Sequence, residues 1–407
     1  MEEHRPEYLR MSPAGRLMPQ EETLEVARQS SSLLIGVPRE ISAHENRVSL
    51  IPDGVALLCR NGHEVMIEAG AGDTAHFSDH EYSNAGAHIV YSPREVYKAD
   101  IILKVEPPGP EEIELLRPKQ TLFSAIQVSM QCENYFRALL ARKVTALAFE
   151  TIRDKTNQLA IIRAMSEIAG STSIFIAADY LASPEFGRGE MFGGFTGITP
   201  TEVVIIGAGT VGEFAARSAI GLGALVKIFD NSVYRLRRLQ TNLGMRLFTS
   251  ILHPQALTEA LRTADVLIGA IHAREGKTPC IITEEMISGM KEGAVAIDVS
   301  IDQGGCFETS RPTTHQSPVY KVHGVTHYAV PNIPSKVPHT ASQALNNIIV
   351  PIILEIGSEG GMENLLKRDT GVRQGVYIYN GILTNLFISR AYNLPFQDIS
   401  LLMAAFH

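Results

Sequence analysis

From residue 33 onward, short apolar runs alternate with stretches whose apolar residues recur at helical spacing. The runs at 33–37, 64–68, 88–91, 100–104, 121–126 and 144–149 read as strands, and helical spacing lies between several of them, as at 54–60 and 132–142. Strands alternating with helices predict parallel βαβ units and a doubly wound sheet. A second series follows, with strands expected at 203–206, 225–229, 266–271, 294–301 and 327–330. Between the two series, residues 159–181 contain few breakers apart from Gly170 and read as one long helix able to bridge two domains. After Pro338 the pattern is helical (341–355 and 382–392), with too few strands for a domain of its own, so this tail is expected to return and pack on the first half. Residues 1–32 are polar, end in Ser30-Ser31-Ser32 and offer nothing that builds a pocket.

Composition narrows the class. The chain of 407 residues is 45% hydrophobic and 20% charged, which fits two soluble globular domains. A formal net charge of −8 argues against a nucleic-acid-binding face. No uninterrupted apolar run approaches the roughly 18 residues of a membrane helix, and 348–356 is interrupted by Pro351. The first ten residues are charged and lack the apolar core of a secretory signal. The four cysteines (Cys59, Cys132, Cys280 and Cys306) form no CxxC pair, and the thirteen histidines no HExxH, so neither a disulfide framework nor a metal site is expected. The expectation is a soluble cytoplasmic enzyme without a metal, a membrane or a nucleic-acid partner.

The strongest local signal runs from Val203-Val204-Ile205-Ile206 through Gly207-Ala208-Gly209-Thr210-Val211-Gly212. A buried-type strand precedes the glycines, a helix-compatible stretch (213–222) follows, and the next strand ends in Asp230. In that context GxGxxG is the dinucleotide signature. Gly207 permits the tight turn, Gly209 admits a pyrophosphate to the backbone, and Gly212 lets the helix lie close to the strand. The helix start at Thr210 and Val211 offers free N–H groups to phosphate. Asp230 is expected on the adenosine ribose hydroxyls, where a carboxylate repels a 2′-phosphate and favours NAD, although Arg235, Arg237 and Arg238 lie near it. Ile271, closing the strand expected at 266–271, falls on the same edge.

In an open α/β sheet, ligands bind outside the carboxyl ends of the strands. Arg47, Lys104 and Gln127 occupy such positions in the first series. In the second, a strand delivers Asp302, followed by Gly304-Gly305-Cys306. Asp302 could face the nicotinamide or act on substrate protons, and spacing alone equally allows it to cap the next turn. Cys306 has no histidine close in sequence and reads as a small core residue.

These segments, with Ile35-Gly36-Val37-Pro38-Arg39-Glu40 and Glu45-Asn46-Arg47-Val48, resemble the alanine dehydrogenase family, which is related to the NAD(H)-binding subunit of nicotinamide nucleotide transhydrogenase. Asn61-Gly62-His63-Glu64-Val65, Met165-Ser166-Glu167, Ser310-Arg311-Pro312-Thr313-Thr314 and Pro331-Asn332-Ile333-Pro334 carry the resemblance further, to the C-terminus. It implies two doubly wound parallel-sheet domains linked by long helices. The polar extension is 1–32, a discontinuous flavodoxin-like substrate domain spans 33–160 and 339–407, and a Rossmann NAD domain spans 161–338. Arg47 matches the residue that holds the substrate carboxylate, Lys104 the one that bonds its carbonyl or carboxylate, and Asp302 the catalytic aspartate. Ser166, Asp230 and Asn332 match cofactor-cleft positions.

One position departs from the family pattern: the residue aligned with its catalytic histidine is Gln127. Glutamine can donate the same hydrogen bond but cannot shuttle a proton, a loss worth a factor of about 100 to 10,000 in rate. Asp302 with water, or another residue such as His327, would then carry the proton chemistry, or the substrate would differ. The implied activity is NAD-dependent oxidative deamination of L-alanine to pyruvate and ammonium. The alternatives are another small amino, imino or oxo acid, a transhydrogenase-type NAD(H)-binding subunit, and a cofactor-binding protein without catalysis. The segment Arg153-Asp154-Lys155-Thr156-Asn157-Gln158 does not follow the transhydrogenase pattern. The resemblance further implies a homo-oligomer, a hexamer before a dimer.

Overall fold

A computed structural model describes residues 31–272 and 278–405. Six parallel strands open the first sheet: β1 (Leu34–Val37), β2 (Glu64–Glu68), β3 (His88–Val90), β4 (Ile101–Leu103), β5 (Thr121–Ser124) and β6 (Thr145–Ala148). Their spatial order is 3-2-1-4-5-6. β3 lies outside β2, so the flavodoxin-like order expected here is extended by one strand to the winding of the second sheet. β4, β5 and β6 are buried along their whole length, as central parallel strands covered on both faces must be.

The second sheet comprises β7 (Glu202–Ile206), β8 (Leu225–Phe229), β9 (Phe248–Ser250), β10 (Val266–Gly269), β11 (Val295–Asp298), β12 (Val319–Val322) and β13 (Val325–Tyr328). Its parallel strands repeat the same winding, and β12 adds an antiparallel edge on β13. The doubly wound pair of sheets is therefore present as expected. The unanticipated strands β9 and β12 are short and largely half-exposed, so neither shows a clear apolar run.

The long helix Ala160–Ala182 joins the two sheets. By length and composition alone it is apolar enough to cross a membrane. Here it packs on the helix Thr210–Gly221 so closely that a Cβ at Gly170 would lie 2.3 Å from the Val211 carbonyl oxygen. That close approach is the reason for a breaker inside an otherwise regular helix.

The tail returns to the first sheet. Helix Pro338–Ser358 places Leu345, Ile349, Ile353 and Ile356 in the core formed by β1, β2 and β4. β14 (Val376–Tyr379) then pairs antiparallel with β6 and turns back into β15 (Ile382–Leu383). The helix expected over 382–392 is thus corrected to a hairpin strand followed by the helix Leu386–Tyr392. Asn380 and Gly381, both at positive φ, form the turn. Asn-Gly between β-branched and aromatic residues is the sequence signal for it.

Candidate active site

Each sheet reverses its winding between the first and fourth strand of its order, β1/β4 and β7/β10, and the candidate residues gather at those carboxyl edges. In the second sheet a cleft of about 490 Å³ is lined by Ser166, Gly209, Thr210, Val211, Arg235, Ile271 and Asp302, together with Met165, Arg238, His272 and Gln303. Seven of the residues expected at the site from the sequence therefore meet at one place.

Local chemistry explains the shape of this cleft. Gly207 has φ +109, and a Cβ there would lie 2.4 Å from the Ala270 carbonyl oxygen. A Cβ at Gly212 would lie 1.9 Å from the Gly207 oxygen, so strand and helix pack only because both residues are glycine. Gly209 differs: its Cβ position has no atom within 4 Å and opens on the cleft. It is also the N-cap of helix Thr210–Gly221 and makes no side-chain cap, which leaves the first N–H groups for an anionic ligand. The donor set and the open backbone fit a dinucleotide pyrophosphate. Asp230 is buried behind this turn, where Oδ2 accepts the Ala208 N–H at 2.8 Å and Oδ1 the Ser232 N–H at 2.7 Å. Arg235 stands 3.7 Å from it. Asp230 thus holds the glycine turn, with lone pairs left for a ribose hydroxyl.

Asp302 and Asp298 divide the two roles that spacing left open. β11 ends at Asp298, earlier than expected, and Asp302 rides on the short 3₁₀ helix Val299–Gln303. The turn is held by Asp298, whose carboxylate accepts from Ser300 N (3.0 Å), Cys306 N (2.8 Å) and Ser310 Oγ (2.6 Å). Asp302 is left to the cleft, where burial raises its carboxyl above the usual range, opposed by the Asn332 N–H and by Arg47. Cys306 is fully buried against Asp298, as a core residue. His327 is buried with Nε2 on Thr309 Oγ1 and Nδ1 on the Val325 carbonyl, a satisfied structural histidine.

The first sheet contributes the cations. Arg47 is locked to Glu45 by Nε at 2.7 Å and Nη2 at 2.5 Å, and Nη1 reaches Met165 Sδ on the bridging helix at 3.3 Å. Glu45 Oε2 also accepts the Asn332 side-chain amide at 2.9 Å. Asn332 lies beyond the end of β13, in the left-handed conformation, φ 58. Its backbone N–H donates to Asp302 Oδ1 at 2.9 Å. One asparagine therefore connects the arginine of the first sheet to the aspartate of the second.

Lys104 follows β4 and is 1% exposed, with Nζ 2.8 Å from Glu112 Oε1 and 3.1 Å from Glu40 Oε2. The two carboxylates outweigh burial and raise its pKa, so the ammonium stays charged. Gln127 lies beyond β5, exposed and left-handed (φ 45), outside the lining of the cofactor cleft. Glu150 fixes it: Oε1 accepts the N–H groups of Ile126 at 2.7 Å and Gln127 at 3.3 Å. A bulky residue in this conformation marks a position where geometry is held at some cost. Glu40, Glu45, Glu112 and Glu150 had no assigned role in the sequence reading. Glu40 and Glu45 lie in motifs that carry the resemblance, without a role attached to them, whereas Glu112 and Glu150 lie in no such motif.

The chain matches the Alanine dehydrogenase/PNT, N-terminal domain over residues 36–169 and the Alanine dehydrogenase/PNT, C-terminal domain over residues 173–386. It is 40% identical to an alanine dehydrogenase of Mycolicibacterium smegmatis over 91% of this chain and all of that protein. It is 41% identical to one of Bacillus subtilis, covering 88% of this chain and 94% of that one. A solved L-alanine dehydrogenase superposes with a TM-score of 0.83 at 37% identity, over 89% of this chain and 99% of that one. A transhydrogenase of Sinorhizobium meliloti shares the fold, with a TM-score of 0.74 at 22% identity, over 87% and 99% of the two chains.

Proposed function

The chain belongs to the alanine dehydrogenase/PNT family, and from that premise we propose that it catalyses the reversible NAD-dependent oxidative deamination of L-alanine to pyruvate and ammonium. The observation that carries the proposal is the chain Arg47–Glu45–Asn332–Asp302, which sets a carboxylate-binding cation and a proton-exchanging acid beside the dinucleotide cleft.

Gly207, Gly209, Thr210, Val211, Gly212, Asp230, Arg235, Ile271 and Ser166 would hold NAD, which would supply the acceptor for the hydride of the alanine Cα. Arg47 and the third N–H of Lys104 orient the substrate carboxylate, and guanidinium suits a planar anion. Asp302, its carboxyl raised by burial, takes the proton of the water that adds to the imine. The Gln127 amide donates to the substrate oxygen without exchanging a proton. Asn332 and Glu45 fix the acid and the cation relative to each other, so positioning and electrostatics carry most of the rate.

Retention of Arg47 and Lys104 supports a self-contained substrate pocket rather than a transhydrogenase-type subunit. The loop 153–158 closes on itself, with Asp154 Oδ1 accepting from Thr156 and Gln158. A cytoplasmic homo-oligomer, hexameric before dimeric, completes the proposal. Incubation with NAD and L-alanine tests it: pyruvate and NADH should form in equal amounts with release of ammonium. NADH formation from a different amino acid alone would instead favour the reading in which Gln127 changes the substrate.

A further inference from the structure

Lys104 is the most crowded cation of the site. Its ammonium has three N–H donors; Glu112 and Glu40 take two, leaving one for a ligand. The three side chains are 1%, 7% and 7% exposed, so water screens little of their charge. Two carboxylates on one ammonium already leave a negative sum. A substrate carboxylate arriving on the third N–H makes three anions around one cation. Arg47 cannot offset this, because Glu45 already matches its charge.

We propose that binding of the substrate carboxylate at Lys104 is coupled to uptake of one proton by Glu40, which serves as the charge-compensating group of the substrate site. This rests on the reading that Lys104 meets the substrate. Geometry selects Glu40 over Glu112. Glu112 is held by Tyr97 OH at 3.0 Å, the Gly109 N–H at 2.8 Å and Lys104. Glu40 is farther from Lys104, at 3.1 Å, and among the described residues its other partners are two backbone N–H groups, Val105 at 2.6 Å and Glu106 at a long 3.4 Å. The titratable and charged groups around it are Lys104 and Glu106 beyond β4, Arg39, Glu45 and Arg47 on its own loop, Glu68 of β2, and Glu112 with the neutral Tyr97 across Lys104. Carboxylates outnumber cations in this set. Burial, opposed first by Lys104, pushes the Glu40 carboxyl up to about 7. A cleft of about 800 Å³ lined by Arg39, Glu40, Ile41, Glu68 and Glu112 gives the proton a path to solvent, and it shares no lining residue with the cofactor cleft. In a site whose imidazole position is Gln127, Glu40 thus provides titration near neutral pH.

Glu40 is a positioning residue, acting through Lys104, and proton uptake is the readout that a merely structural role would not move. Pyruvate, glyoxylate and 2-oxobutyrate are titrated calorimetrically into the NADH-loaded full chain without ammonium, at pH 8, in buffers of different ionisation heat. The expected result is uptake of close to one proton per bound oxo acid. Affinity should fall about tenfold per pH unit above neutrality, and the carbonyl stretch of a protonated carboxyl should appear on binding. Glu40→Gln should bind the oxo acid without uptake and without that pH dependence, whereas Glu112→Gln should keep both. Wild-type binding with no proton uptake, or unchanged uptake in Glu40→Gln, overturns the coupling. The wild-type result alone decides if Glu40→Gln fails to fold. Intact NADH binding with no binding of any oxo acid refutes the substrate reading and the coupling with it.

Discussion

The backbone N–H of Asn332 donates to Asp302 Oδ1 at 2.9 Å. The side chain of the same asparagine reaches Glu45, the carboxylate that holds Arg47. The two carboxyl edges are therefore in register through a single residue in the left-handed region, where asparagine is tolerated and most residues are not.

Asn332→Gly keeps the conformation and the N–H to Asp302 but removes the amide on Glu45. The expected effect is selective: KM for pyruvate rises about tenfold, as for loss of one charge-assisted hydrogen bond, while kcat changes far less. Asn332→Leu should lower the melting temperature as well, since the left-handed conformation costs a side chain about 1–2 kcal/mol. Steady-state kinetics and thermal unfolding of both variants separate the two roles.

Asp302→Asn should reduce kcat by about 100- to 10,000-fold with NADH affinity little changed. In wild type, burial raises this carboxyl. The reductive direction, which needs the acid form, should decline as pH rises through that raised value. The deaminating direction, which needs the base, should climb over the same interval. The folded protein holds this proton more tightly than the unfolded chain does. Ionisation on raising the pH therefore costs stability, and Asp302→Asn should be more stable than wild type at alkaline pH. Paired pH–rate and pH–melting profiles check both statements.

Gln127 is left-handed, and Glu150 pins its backbone. Gln127→Gly should leave the melting temperature unchanged or higher, because strain relief of about 1 kcal/mol offsets a similar backbone entropy cost. Its kcat/KM should fall about tenfold through the lost amide donor. Gln127→His should raise kcat/KM and add an inflection near the ordinary imidazole value of about 6.5. An unaltered pH profile in Gln127→His would show that the side chain does not face the substrate.

Two glycines of the cofactor turn, Gly209 and Gly212, should respond differently. Gly209→Ala places a methyl in open cleft space, so the protein should fold normally and lose NADH affinity by about tenfold or more. Gly212→Ala sets a Cβ 1.9 Å from the Gly207 oxygen and should destabilise the fold itself. Fluorescence titration with NADH, alongside thermal unfolding, distinguishes a lost ligand contact from a lost packing contact.

The central strands were legible because parallel sheets covered on both faces leave near-continuous apolar runs: β4 and β10 lie within the residues the pattern marked, 100–104 and 266–271. The edges were not. β9 has three residues and one exposed aromatic, and β14–β15 was hidden in a tail read by helical period although Asn380-Gly381 announced a hairpin. In the site, the glycines, Asp230, Ser166 and Asp302 carry local signals. The carboxylates Glu40, Glu112 and Glu150 do not, because their meaning comes from partners 64 and 8 residues away for Glu40 and Glu112, and 24 for Glu150, measured to Lys104 and Ile126. Spacing alone left Asp302 between facing the nicotinamide and capping the next turn; the fold gives the turn to Asp298 and leaves Asp302 in the cleft.

NADH consumption with pyruvate, measured with and without ammonium at near-neutral and alkaline pH, tests alanine dehydrogenation at this site. Robust turnover that requires ammonium and is lost in Asp302→Asn is expected. Intact NADH binding with no ammonium-dependent turnover at either pH would contradict alanine dehydrogenation.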